Sequence, residues 1–434
     1  MSISIQALTT VFFFLMSASP VLAEEKIFTI DDAYRAALGG NETVKIAEEG
    51  VSQAEYRVDQ AGTFLYPRLN GRASYTAFDE MLPPGGGPFI FQPHDSYQAA
   101  LVLTQPLYTG GRTLAALRTA QKLRETSITS LSVARQDTML RVAEAYYGVL
   151  RAQKAVDISK RSLERTERHK HVTEREAATR RTKANQSALL RANSLIAQAR
   201  IALVRAQDGL KVARDKLSLL TKLPPDFHVV EPPQLEQPSE RLENLQKMAL
   251  SHRDDYTGSQ VNKSIAEENV TIVQGGHYPQ LSAEAGVQYQ DSRPATALDA
   301  TVYYGGLRLQ VPIFEGGLMK YEVSEARSKV RQAALASELM RATIESDVHE
   351  AYVNLQTVTS VLDTAKLQMD YATRNFDAVD GLFTEGLLAS LSLIDAEQAL
   401  TFAEREQMNA IYDREIAILR LKKSIGILGK HIGS

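Results

Sequence analysis

The sequence predicts a mixed α and β membrane protein built from two tandem copies of one unit, and three observations carry that reading. The first is repetition. Pro106-Leu107-Tyr108-Thr109-Gly110-Gly111 returns 206 positions later as Pro312-Ile313-Phe314-Glu315-Gly316-Gly317, and Glu144-Ala145-Tyr146 returns at the same offset as Glu350-Ala351-Tyr352. Tyr66-Pro67-Arg68-Leu69 returns as Tyr278-Pro279-Gln280-Leu281 at an offset of 212, with the slack in a Gly/Pro loop around Pro83–Pro88. Constant spacing inside blocks, with slack confined to a loop, is the mark of a duplicated structural unit. The second observation is strict alternation. Leu281, Ala283, Ala285, Val287 and Tyr289 fall on one face of a strand, with Ser282, Glu284, Gly286, Gln288 and Gln290 on the other. The third is a heptad seam. Ala192, Ile196, Ala199, Leu203, Ala206, Leu210, Ala213, Leu217 and Leu220 alternate spacings of four and three without a miss.

The elements follow in order. Residues 1–23 read as a secretory signal: an apolar run at Val11–Met16 leads to Val21-Leu22-Ala23 before Glu24-Glu25, although residues 2–10 hold no Lys or Arg. The first repeat spans 24–222. It opens with a helix over 29–61, where Thr29 and Asp32 form a capping box. Strands follow at 68–78 and 96–105, and then the Pro106 to Gly110-Gly111 corner. No Pro interrupts residues 111–173, so a helix of roughly 90 Å is expected there at 1.5 Å per residue. The seam of the return helix closes the hairpin. A proline-rich connector at 223–238 is too short to fold alone. The second repeat, 239–434, runs through a helix over 242–273, strands at 280–291 and 302–311, the Pro312 to Gly316-Gly317 corner, and a second hairpin. There Ala396, Leu400 and Ala403 begin a seam that weakens at Gln407 and Arg414.

Composition removes several function classes. A net charge of −3 gives no basis for nucleic-acid binding, and the absence of cysteine excludes thiolate metal sites and disulfides. No catalytic constellation is legible, so the chain is read as non-enzymatic, without a cofactor or metal. His169 and His171 stand at i and i+2 of a helix and point to different sides, so they do not form a ligand pair. Gly110-Gly111 and Gly316-Gly317 lack a following Lys-Ser/Thr and follow a strand-ending Pro, which makes them turns rather than phosphate loops. No segment after the signal reaches the roughly 18 apolar residues of a membrane helix. Four strands of about ten residues are too few to close a barrel. A hairpin of such length likewise cannot bury its apolar stripe within one compact subunit, so both parts call for neighbouring chains.

These motifs carry a resemblance to the TolC-like outer-membrane factor (outer membrane efflux protein) family. They are the paired Tyr-Pro-x-Leu strand starts, the two Gly-Gly corners, the Glu-Ala-Tyr pair, Gly386, Asp395-Ala396 and Ser424-Ile425-Gly426. The resemblance implies a homotrimer in which each chain gives four strands to a twelve-stranded β-barrel. It also implies a long periplasmic α-helical barrel, made from two continuous and two broken helical elements per chain, and an equatorial collar. The implied role is the outer-membrane exit duct of a tripartite efflux pump or a type I secretion system, with a periplasmic adaptor and an inner-membrane transporter as partners. It further implies a constriction at Phe383, Leu388, Ser392 and Asp395, and adaptor-docking tips at Thr182, Ser187 and Gly386. Several gate positions depart from the family pattern: Leu388 and Ser392 stand where relatives carry Arg and Asp, and Ser187-Ala188 where they carry Thr-Asp.

A periplasmic adaptor is the alternative reading, because adaptors are also exported and also use helical hairpins. Adaptors insert one hairpin into a split β domain, whereas this chain runs strand-strand-helix-helix twice. A soluble coiled-coil scaffold leaves the alternating strands unexplained.

Overall fold

The computed structural model describes residues 27–79, 93–179, 183–293, 295 and 298–429. The expected signal segment and Thr182 lie outside them. The first half contains β1 (Ile27–Phe28), α1 (Ile30–Gly40), α2 (Glu42–Thr63), β2 (Arg68–Ala77), β3 (Asp95–Tyr108), α3 (Arg112–Thr179) and α4 (Lys183–Thr221). After the connector strand β4 (His228–Val229), the second half contains α5 (Leu242–His252), α6 (Asp254–Gly275), β5 (Gln280–Arg293), β6 (Ala300–Gln310), α7 (Leu318–Thr384) and α8 (Ser390–Ser424). Strands β2-β3-β5-β6 form one antiparallel sheet in that order, so β3 and β5 join the two halves. Helices α3 and α7, of 68 and 67 residues, each extend about 100 Å at 1.5 Å per residue.

The single opening helix expected in each half is in fact two. The chain breaks at Asn41 (φ −74°, ψ 131°) and at Arg253 (φ −79°, ψ 118°). Sequence periodicity misses these breaks because each is fixed by partners far along the chain. The Asn41 side chain accepts the Thr43 amide at 2.9 Å and donates to the Leu220 carbonyl at the end of α4. It therefore caps the start of α2 and satisfies an orphan carbonyl of α4 at once. Glu42 and Lys222 pair across the same junction at 2.7 Å. In the second half Arg253 is held by Asp347 at 2.7 Å and by Asp255, and Gly426, just beyond α8, lies against the His252 carbonyl. Each break is thus where a returning helix ends against a new one. Those junctions make the two broken elements that run beside the continuous α3 and α7.

The Thr29 capping box forms as expected, with the Asp32 amide bound to the Thr29 hydroxyl and the Asp32 carboxylate bound to the Thr29 amide. The α4 seam is also observed: Ala192, Ile196 and Leu217 are buried, the other seam positions are half-buried, and the residues between are largely exposed. In α8 the seam continues past Gln407 and Arg414 through the buried Ala410, Ala417 and Leu421, because the long stems of Gln and Arg fill half-buried seam positions.

The core gathers at the equator of the helices. One cluster joins Phe28, Tyr34, Tyr146, Tyr147, Leu217, Phe227 and Tyr412, and a second joins Leu245, Ile344, Leu355, Ile418 and Leu421. Tyr146 belongs to the repeated Glu-Ala-Tyr. Its buried hydroxyl lies 2.6 Å from the Val230 carbonyl and 2.9 Å from that of Phe28, and it accepts the Val230 amide at 3.2 Å. One phenol thereby ties the N-terminal strand and the inter-repeat connector to the middle of α3. Burial pushes its pKa up to about 12.

Candidate functional site: a two-faced sheet and a helical tip

The register divides the sheet into two chemically distinct faces. Leu69, Leu103, Ala285 and Gly305 form a cross-strand row, as do Gly71, Leu101, Val287 and Tyr303, and Leu281 pairs with Leu309. The opposite face carries Asn70, Arg72, Ser74, Gln98, Thr104, Gln288 and Arg308, with Glu284. Arg308 donates to Glu284 at 2.9 Å, a diagonal pair that fixes both on that face. The faces are those the alternation predicts, with Leu307 and Leu309 opposite Arg308 and Gln310.

Aromatic residues bracket the apolar face. Tyr75 and Tyr97 pack at 4.9 Å between centroids near the end of the sheet remote from the helices, with Tyr289 on β5 diagonal to Tyr97. Phe64, Tyr66, Tyr108, Tyr278 and Phe314 lie exposed near the helix-proximal end. From Leu281 to Tyr289 the strand covers about 27 Å at 3.3–3.4 Å per residue, and an apolar band of that order flanked by aromatics suits a bilayer. No helix among the described residues is long and apolar enough to cross a membrane.

The corners join this sheet to the helices. Gly110, Gly111, Gly316 and Gly317 all have positive φ, from 61° to 88°, which a side chain resists. Pro106 sits at a register shift in β3 and cannot donate to the ladder, so the strand bends toward the helix there. Pro312 stands two residues beyond Gln310, the last ladder residue of β6. Gly110 also meets its neighbour closely: a Cβ there would stand 2.3 Å from the Gly275 carbonyl oxygen.

At the other end of the helices, Gly386 (φ 75°) closes α7 with a six-to-one bond from the Leu387 amide to the Leu382 carbonyl and a five-to-two bond from the Gly386 amide to that of Phe383. Ser187 is exposed on α4, Leu388 and Ser392 are half-buried, and Asp395 is exposed on α8. Phe383, expected to face an opening, is turned inward. It is 1% exposed and packs edge-on against the His169 imidazole at 5.1 Å. An apolar ring on a lone chain is more stable between helices than in water, so Phe383 anchors the tip from within.

Sequence reading missed a buried polar network between α3 and α8. The His169 Nε2 lies 2.9 Å from the Ser390 hydroxyl. Thr166 donates to Glu397 at 3.0 Å, and Arg165 donates to Thr401 at 3.1 Å and to Glu404 at 3.2 Å. Burial pushes the Glu397 carboxyl up and the His169 imidazole down, although Asp380 partly opposes the shift at His169. One signal was available: Glu397 and Glu404 are seven apart, each one position beyond a seam alanine, Ala396 and Ala403. Among the described residues no His/Asp/Glu group could hold a metal ion.

Comparison with known proteins accounts for this architecture. The outer membrane efflux protein family model matches residues 33–221 and 245–427, one block in each repeat. The chain is 23% identical to the outer membrane protein TolC of Vibrio cholerae over 390 residues, covering 86% of this chain and 85% of that one. It is 24% identical to the pyoverdine export outer membrane protein OpmQ of Pseudomonas aeruginosa over 410 residues, covering 92% and 84%. Among solved structures, CusC superposes with a TM-score of 0.79 at 17% identity, covering 92% of both chains. The outer membrane channel CmeC of Campylobacter jejuni gives 0.79 at 16%, covering 92% of this chain and 85% of its own. With the two-faced sheet, the Gly-Gly corners and both repeats matched, this chain belongs to the outer membrane efflux protein family.

Proposed function

We propose that three copies of this chain close their sheets into one twelve-stranded barrel across the outer membrane. The barrel continues into a periplasmic tube of helices and serves as the exit duct for an inner-membrane transporter acting through a periplasmic adaptor. Residues 1–23 direct export and are removed, and residues 223–238 link the two repeats of the mature chain.

One observation carries the proposal: the joint between the two repeats is made once and left open once. Within the chain β3 pairs with β5, and Gly110 packs backbone to backbone on Gly275. The matching corner of the second repeat has open space around Gly316, and beside it Ile313 and Phe314 are 92% and 84% exposed. The end of α2 that corresponds to the Gly275 region presents Phe64, Leu65 and Tyr66, also exposed. Among the described residues the outer edges of β2 and β6 have no strand partner. An unpaired edge inside a bilayer is untenable, and a head-to-tail contact that repeats the internal joint closes as a ring.

At the tip, Asp395 with Leu388 and Ser392 would face the narrowing axis, and Phe383 would brace them from behind. Gly386, Ser187 and Thr182 are the residues an adaptor would dock against, and the exposed Leu382, Leu387 and Leu391 supply apolar surface around Gly386. Fractionation tests the assembly. Trimer bands that dissociate on heating should occur in the outer membrane, and Ile313→Arg should convert them to monomer. Monomeric protein confined to the periplasm would favour the adaptor reading instead.

A further inference from the structure

The sheet's polar face does not share the sign of the chain. The full sequence carries a net charge of −3, yet the charged side chains that the register puts on this face are Arg68, Arg72 and Arg308 against the single Glu284. Glu284 is spoken for, since Arg308 binds it at 2.9 Å. It also shares a cross-strand row with Arg68, two strands away, about 10 Å at the usual strand spacing. The row of Arg72 contains Ala100, Gln288 and Val302, with no acid. Arg68 is steadied by the ring of Phe64, 4.1 Å from its guanidinium. The other polar side chains on the face, among them Asn70, Gln98, Thr104 and Gln290, are neutral, and the rest, such as Ala100, Val102 and Val302, carry no charge either.

We propose that the barrel interior is an anion-preferring passage, set by Arg68, Arg72 and Arg308, and that the duct's cargo includes solutes bearing carboxylate, phosphate or sulfate groups. The inference rests on the three-chain barrel proposed above. Closing the sheet with its apolar face to lipid turns this face inward, and three copies bring nine guanidiniums against three carboxylates into one lumen. A passage with low-dielectric walls focuses such a field and raises the local concentration of the opposite sign by tenfold or more. Guanidinium keeps its charge at every physiological pH and grips planar oxyanions through two donors, so the preference is independent of pH and selects by charge and shape. Glu284 moderates the field, because it offsets one arginine in each copy.

The test uses the full-length assembled protein in planar bilayers. Inorganic tripolyphosphate is added on the barrel side, and spermine on the same side serves as the opposite-sign comparison. Tripolyphosphate should reduce the current at lower concentration than spermine. Arg72→Gln should weaken its block roughly tenfold, and Glu284→Gln should strengthen it. Block by spermine at equal or lower concentration, or tripolyphosphate block that ignores both substitutions, overturns the anion preference while leaving the duct intact. Protein that assembles but conducts neither as wild type nor with the tip loosened by Arg165→Ala overturns the duct reading itself, and this inference with it.

Discussion

Gly110 and Gly111 are adjacent, share a left-handed backbone, and yet serve different purposes. A side chain at Gly111 meets open space, so Gly111→Ala costs only the backbone penalty, about 1–2 kcal/mol. At Gly110 the same change also drives a methyl into the Gly275 carbonyl, so the corner has to move. Thermal melting should therefore rank Gly110→Ala well below Gly111→Ala, and equal losses would mean that the close approach to Gly275 does not matter. Tyr146 offers a second residue-scale comparison. Tyr146→Phe leaves the ring in place but strands the Val230 amide and two carbonyls, an expected loss of about 1–3 kcal/mol in melting experiments. The repeated motif foretold that Tyr146 is special. That its partners are the connector and the N-terminal strand was not legible, because a hydrogen bond across 84 residues leaves no periodic trace.

The helices are held by two kinds of contact that respond differently to substitution and to pH. Along the α4 seam, Leu217 is fully buried and Leu210 only partly, so Leu217→Ala should cost roughly 2–5 kcal/mol and Leu210→Ala less. Between α3 and α8 the contact is polar, and its two buried titrating groups oppose each other. His169 has a lowered pKa, so the packed state binds its proton less readily than the unpacked one. Its contribution is intact above the ordinary histidine value of 6.5 and is lost as pH falls through the interval below it. Glu397 has a raised pKa, so the packed state favours its neutral form and gains stability as pH falls toward the ordinary value of 4.5. Melting at pH 7.5 and 5.5 separates the two groups. Glu397→Gln should make acidification more damaging than in the wild type, and His169→Gln should make it less damaging. Arg165→Ala leaves Glu404 with only the half-exposed Arg161 as its cation and should loosen α8 on α3, which single-channel recording would read as higher conductance if the tip is the narrow point.

For the whole molecule, the apolar sheet face is the feature a membrane tests most directly. Leu307→Arg should cost on the order of 2–4 kcal/mol and suppress trimer yield on refolding into detergent, whereas Arg308→Gln should assemble. Equal losses would place the register one residue out. The sequence by itself determined the duplication, the four strands with their faces, the corners and the α4 seam. Each is a local or periodic property: a period of two, a heptad, or a pair of glycines that turns a strand into a helix. Only the tertiary structure decided where the opening helices break, since Asn41 answers to Leu220 near the end of α4 and Arg253 to Asp347 near the middle of α7. It also decided that Phe383 points inward and that Arg165, Thr166 and His169 meet α8. A helix's own sequence names its buried stripe, but not which of several neighbouring helices that stripe will face. That choice follows from packing among segments hundreds of residues apart, where shape and charge are matched only once the chain has folded.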